Sequence, residues 1–118
     1  MPRLIPGLML LLLASLSAGD ACAHAFLDHA EPRVGNKVGN PPREVTLWFT
    51  QKLEAAFSSI TVTGPSGQRV DSGKARVSGD QMSVSLKGGG TGTYHVNWRV
   101  LSVDTHTTDG SFTFQVGP

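Results

Sequence analysis

The chain holds a single cysteine, Cys22, among its 118 residues. One thiol cannot close an intrachain disulfide, and it cannot build a multi-thiolate zinc or iron–sulfur site. Charge is scarce as well: 16% of residues are charged and the formal net charge is +1. A chain so balanced lacks the basic footprint with which proteins hold nucleic acid or an anionic membrane. Methionine occurs at Met1, Met9 and Met82 only. Helical periodicity is missing over any long stretch, and no internal repeat or low-complexity tract occurs. The one apolar run, Leu8–Leu16, falls short of the roughly 20 residues that a membrane-spanning helix needs.

That run belongs to a three-zone leader. Arg3 supplies a positive start, the Leu-rich stretch an apolar centre, and Ala21-Cys22-Ala23 an A-x-A cleavage signal. Met1–Ala23 therefore reads as a signal peptide, with the mature chain running from His24 to Pro118. Two competing readings are an uncleaved N-terminal anchor and a lipoprotein cut at Cys22; Asp20 beside the cut speaks against the second. Removing 23 of the 118 residues leaves 95, enough for one small domain. The cut also removes the cysteine, so an exported domain must be held by its apolar core alone.

Period-two patterning dominates the mature part. Val45, Leu47 and Phe49 alternate with Thr46 and Trp48. Ser59–Thr63, Gln81–Leu86 and Ser111–Val116 repeat the pattern, and Tyr94, Val96, Trp98 and Val100 share one face of a longer run. These are strands with one buried and one wet face. Lys74–Arg76 is a candidate for a further strand, and Gln51–Phe57 is compatible with a helical turn or a loop. Gly39-Asn40-Pro41-Pro42, Gly64-Pro65-Ser66-Gly67, Ser78-Gly79-Asp80 and Gly88-Gly89-Gly90 punctuate the runs as turns. The spacing predicts an all-β fold: an antiparallel β-sandwich with Greek-key connections, immunoglobulin-like.

Cleavage after Ala23 would leave a free α-amine on a histidine. The amine and the imidazole Nδ1 of His24 can chelate one ion, and nitrogen donors of this kind suit Cu(II). An α-amine titrates near 8, so a competing metal can displace its proton at neutral pH. Asp104-Thr105-His106 lies between two strands, where residues two apart in an extended segment point the same way. It could add a carboxylate and an imidazole, giving three nitrogens and one oxygen. A blue-copper thiolate centre is excluded by the missing cysteine. The bland readings stand beside this one. D-x-H alone describes many polar loops, an N-terminal histidine alone is weak, and spacing does not establish that the two groups meet. His29 reads as a surface histidine or an auxiliary metal contact, His95 as exposed, and Asp109 as a turn residue. Trp48, Trp98, Phe112 and Phe114 read as packing.

Two blocks of residues carry a resemblance. His24-Ala25-Phe26-Leu27-Asp28-His29-Ala30-Glu31-Pro32 is similar to an H-A-x-L-x-x-x-x-P opening. Tyr94 through His106, followed by Gly110-Ser111-Phe112-Thr113-Phe114, is similar to Y-x-V-x-W-x-x-x-S-x-D-x-H…G-x-F-x-F. Over the whole mature chain the sequence resembles the CopC family of bacterial periplasmic copper-binding proteins. The resemblance implies a Greek-key β-sandwich of the cupredoxin-like barrel kind, and a Cu(II) site made by His24, through amine and imidazole, with Asp104 and His106: a histidine brace. It implies one Cu(II) ion per chain, a periplasmic carrier or buffer in copper homeostasis or resistance, and a monomer that passes copper to a CopD-like inner-membrane protein or another periplasmic copper protein. No enzymatic activity is expected. The alternatives are a histidine-brace copper monooxygenase-like enzyme and a metal-free adhesion or interaction module. Two departures stand out. Met82 is the one methionine of the mature part, so the Met-rich Cu(I) loop of some members is absent. Gln51 occupies a position where relatives often carry an acid.

Overall fold

The computed structural model describes residues 25–118. His24 and the leader lie outside the described residues. Eight strands follow one another: β1 (Leu27–Glu31), β2 (Lys37–Val38), β3 (Glu44–Phe49), β4 (Ser59–Thr63), β5 (Asp71–Ser78), β6 (Gln81–Leu86), β7 (Gly92–Leu101) and β8 (Thr107–Val116). They form two four-stranded sheets, ordered β1-β3-β6-β5 and β2-β8-β7-β4. The chain changes sheet at every connection from β1 to β5 and again between β6 and β7. This is a β-sandwich with Greek-key-type crossings, as the strand spacing predicts. One pairing departs from the all-antiparallel expectation: the short β2 runs parallel to β8 through Lys37–Gln115 and Val38–Val116.

The alternation read from the sequence decides which faces meet. Val45, Leu47 and Phe49 of β3 face Tyr94, Val96, Trp98 and Val100 of β7 across a continuous core. At roughly 25 cal/mol per Å² of apolar surface removed from water, this burial is the main stabilising term in a disulfide-free domain. Met82 is fully buried on β6. It is a core side chain and not part of a thioether site. Lys74–Arg76 does lie in a strand, β5, and Gln51–Phe57 contains a single 3-10 turn, Ala55–Phe57.

β1 escaped the pattern because it carries a bulge. Leu27 pairs with Phe49 but His29 with Trp48, so Asp28 is an extra residue and period two is broken. Asp109 and Gly110 are not a turn. Both lie within β8, opposite Arg99 and Trp98. Gly110 leaves room for its cross-strand neighbour, since a Cβ there would stand 2.5 Å from Cζ2 of Trp98.

Two polar anchors brace the sheets. The Tyr94 hydroxyl, buried and therefore raised above the ordinary phenol range, stays protonated and donates to the Gly90 carbonyl at 2.6 Å. Gly89 has φ +117° and passes so close to this hydroxyl that any side chain would collide with it. Asp71 accepts the Val62 N–H at 2.9 Å and a two-pronged bond from Arg69, with Nε and Nη2 each at 2.7 Å. The Arg69 hydrogen bonds hold the Asp71 carboxyl below its usual range.

Tyr94→Phe removes one buried hydrogen bond and should cost about 1 kcal/mol, lowering Tm by about 4–8 °C for a domain of this size; thermal unfolding checks it. Asp71→Asn should cost about 1–2 kcal/mol near neutral pH. A depressed folded pKa gives stability that is present above the unfolded value and lost as pH falls through the folded one. The difference between wild type and variant in urea unfolding should therefore shrink on acidification below about 3.9, and a constant difference would contradict the assignment.

Candidate metal centre

Asp104 and His106 lie in the connection between β7 and β8. The expectation that an extended segment aligns them is corrected by the backbone. Ser102–Thr105 is a tight turn closed by the Thr105 N–H on the Ser102 carbonyl at 2.9 Å, with Thr105 at φ +72°. The Ser102 N–H then donates to the His106 carbonyl at 3.0 Å. The two side chains still converge, because the turn folds back on itself. His106 Nδ1 lies 3.5 Å from Asp104 Oδ1, and both groups remain partly exposed.

Ser102 is the residue that spacing arguments pass over. It and Thr46 are the buried polar residues among the described residues, and Ser102 is 0% exposed. Its hydroxyl donates to Asp104 Oδ1 and lies 3.1 Å from the His106 carbonyl oxygen. That hydroxyl, followed by the nearby His106, holds the Asp104 carboxyl below the ordinary carboxylate range. Asp104 is thus kept as a charged acceptor, the form a metal ligand must take. The signal was present in the sequence as the serine of the S-x-D-x-H run.

The start of the described chain is docked beside this turn. Ala25 is fully buried, and its carbonyl accepts a hydrogen bond from the Thr108 hydroxyl at the head of β8. Phe26 exchanges two bonds with Thr50, its N–H to Oγ1 and the Thr50 N–H to its carbonyl, each at 2.9 Å. The segment after β3 joins the same end of the sandwich, since the Val103 N–H donates to the Lys52 carbonyl at 3.0 Å and Leu53 bridges Ser102. Gln51 is half-buried in that segment.

Of the three proposed ligands, then, two come together and the third, His24, lies outside the described residues. No group of three or more His, Cys, Asp or Glu side chains gathers among the described residues. His29 sits on the outer face of the first sheet, its ring stacked on Trp48 at 4.4 Å and 7° and its Nδ1 2.7 Å from Asp28. Trp48 is accordingly not core, whereas Trp98, Phe112 and Phe114 are. His95 is exposed on β7, as expected.

The carboxylate–imidazole pair on one end loop of the sandwich offers two donors of the kinds that divalent metal ions take. The chain belongs to the CopC domain family, which matches residues 27–117; the match begins past His24. Protein YobA of Escherichia coli K12 is 37% identical over 113 residues, covering 90% of this chain and 89% of that one. Copper resistance protein C of Xanthomonas campestris pv. juglandis is 35% identical over 97% of this chain and 96% of its own. The copper transport protein CutJ of Bacillus subtilis is 28% identical over 93% of this chain, which spans only 21% of CutJ. Among solved structures, CopC from Methylosinus trichosporium OB3b aligns with TM-score 0.74 and 32% identity, covering 80% of this chain and 95% of that one. The chain is therefore a member of a copper-binding family whose relatives are copper resistance and copper transport proteins.

Ser102→Ala should let the Asp104 carboxyl titrate closer to an ordinary aspartate. Carbon-13 NMR titration of that side chain should show its midpoint moving upward. An unchanged midpoint would mean that the hydroxyl does not hold the charge.

Proposed function

We propose that the protein is a periplasmic Cu(II) carrier or buffer in copper homeostasis or resistance, and not an enzyme. The observation that carries this reading is the Asp104–His106 pair at 3.5 Å, set on a turn next to the anchored Ala25. The Ala25 carbonyl is gripped by Thr108, two residues after His106 in the chain, and His24 directly precedes Ala25 in the sequence. Cleavage after Ala23 would give His24 a free amine, and amine, Nδ1, Asp104 and His106 make a three-nitrogen, one-oxygen set. Such a set favours Cu(II) over softer Cu(I). Copper is cargo here: the ion is captured once per chain and given up to a recipient, for which a CopD-like inner-membrane protein or another periplasmic copper protein is the proposed partner. Membership of a family with copper resistance and transport relatives supports the carrier role. A carboxylate in the ligand set speaks against oxygen activation, which needs an open position.

Each ligand has its own part. The His24 chelate supplies two donors from one residue, which lowers the entropy lost on binding. Asp104 supplies charge, and Ser102 keeps it ionised. His106 supplies the second imidazole, beside the Asp104 carboxylate. Ser102 is buried at the base of the turn, while Asp104 and His106 keep part of their surface in solvent, where an incoming ion would reach them.

Cu(II) titration of the processed protein, followed by paramagnetic resonance, tests this. His24→Ala, or one extra residue ahead of His24, should weaken binding by about a hundredfold or more, ~2.7 kcal/mol, and should change the nitrogen hyperfine pattern. Asp104→Asn should weaken binding less and leave that pattern in place. Unchanged affinity on blocking the His24 amine would overturn the ligand set.

A further inference from the structure

Large apolar side chains exposed on a small domain call for a reason. Among the described residues they are Phe26, Val34, Phe57 and Val103, at 58%, 57%, 69% and 50% exposure. Three of the four belong to segments that converge on the Asp104–His106 turn. Phe26 is tied to Thr50, and Val103 to Lys52 two residues further on. Phe57 ends the 3-10 turn, whose flanks hold Leu101: the Glu54 N–H donates to the Leu101 carbonyl at 2.8 Å, and the Leu101 N–H donates to Ser58 Oγ at 3.2 Å. Val34 alone follows the far end of β1.

We infer that Phe26, Phe57 and Val103 form the docking rim by which the carrier seats on its copper-accepting partner, a copper transport protein. The inference rests on the carrier reading above. Ligand exchange requires the recipient's donors to reach bonding distance of the ion, so whatever surrounds the Asp104–His106 turn must enter the encounter. The rim's size selects its occupant. Phenylalanine carries about 200 Å², so the three side chains expose on the order of 300 Å². That is far below the roughly 800 Å² per partner that a stable interface buries. Obligate dimers bury larger and more apolar surfaces, so a patch this small suits a brief encounter that must release. Lys52, Glu54 and Asp104 intersperse both signs among the apolar groups, which gives an anionic lipid surface no net attraction. CutJ adds a separate argument: a domain like this one is built into a copper transport protein about five times its length, inferred from its 21% share.

The test uses the processed, copper-loaded chain with the photo-crosslinker p-benzoylphenylalanine at position 57, or at position 34 as control, incubated with washed membranes of its host. The expected result is an adduct from position 57 only, whose second component is identified by mass spectrometry as a copper transport protein. Excess unlabelled wild-type chain should suppress the adduct by at least about tenfold, ~1.4 kcal/mol, and excess Phe57→Glu chain should not. Phe57→Glu should keep the wild-type circular dichroism and Cu(II) titration. No adduct, equal adducts from both positions, an adduct of two copies of this chain, lipid adducts alone, or a second component that does not handle copper would each overturn the rim. The Cu(II) titration separates the two proposals. Copper binding without the adduct removes the rim and leaves the carrier, and the adduct without copper binding removes the carrier.

Discussion

The proposed site depends on one buried hydroxyl. Ser102 directly follows the long β7 strand at a position fully shielded from water, where an unsatisfied hydroxyl costs on the order of 1–3 kcal/mol. Its partners are Asp104 and the His106 carbonyl, which also accepts the Ser102 N–H. Satisfying the serine therefore forces the next four residues into a closed turn. That turn puts a carboxylate and an imidazole side by side on the surface. The core presses on Ser102 from below, and the chemistry appears above as a consequence.

The rest of the sandwich supports that one constraint. β7 and β8 are paired over their whole length, from Gly92–Val116 to Leu101–Thr107, so the turn between them cannot shift register without moving every side chain to the wrong face. Gly110 admits the Trp98 ring, and the ring meets Phe49 edge-on at 5.1 Å. Phe49 precedes Thr50, and Thr50 holds Phe26. A chain of packed and hydrogen-bonded groups thus runs from β8 to the first described residues, which lie beside a strand some eighty residues away in sequence, as the Ala25–Thr108 bond shows.

Transfer asks for the opposite property. A carrier must hold its ion firmly and still let a second protein reach it. Rigidity here lies beneath the turn, in the rings and the Ser102 bonds, while Asp104 and His106 keep part of their surface in solvent. Exposed apolar groups at the same end give an encounter something to bury without committing either partner to a lasting complex. His29, by contrast, spends its ring on Trp48 and its Nδ1 on Asp28, which makes it part of the sheet surface.

The strands β3, β4, β6 and β7, the later part of β8, the buried faces of β3, β7 and β8 and the apolar strand position of Met82 were legible in the sequence. Side-chain alternation is a property of the backbone and needs no tertiary information. The pair Asp104 and His106 could be picked out for the same reason that made it doubtful: residue types speak for chemistry, and spacing does not speak for convergence. β1 was not legible, because its bulge breaks the period, nor was the parallel β2–β8 pairing, because two residues carry no pattern. What only the tertiary structure decided is how the site is built. The turn geometry follows from where Ser102 is buried, and the closeness of Ala25 to β8 follows from the packing of two sheets. Both depend on groups far apart in the chain, whose meeting no local preference encodes.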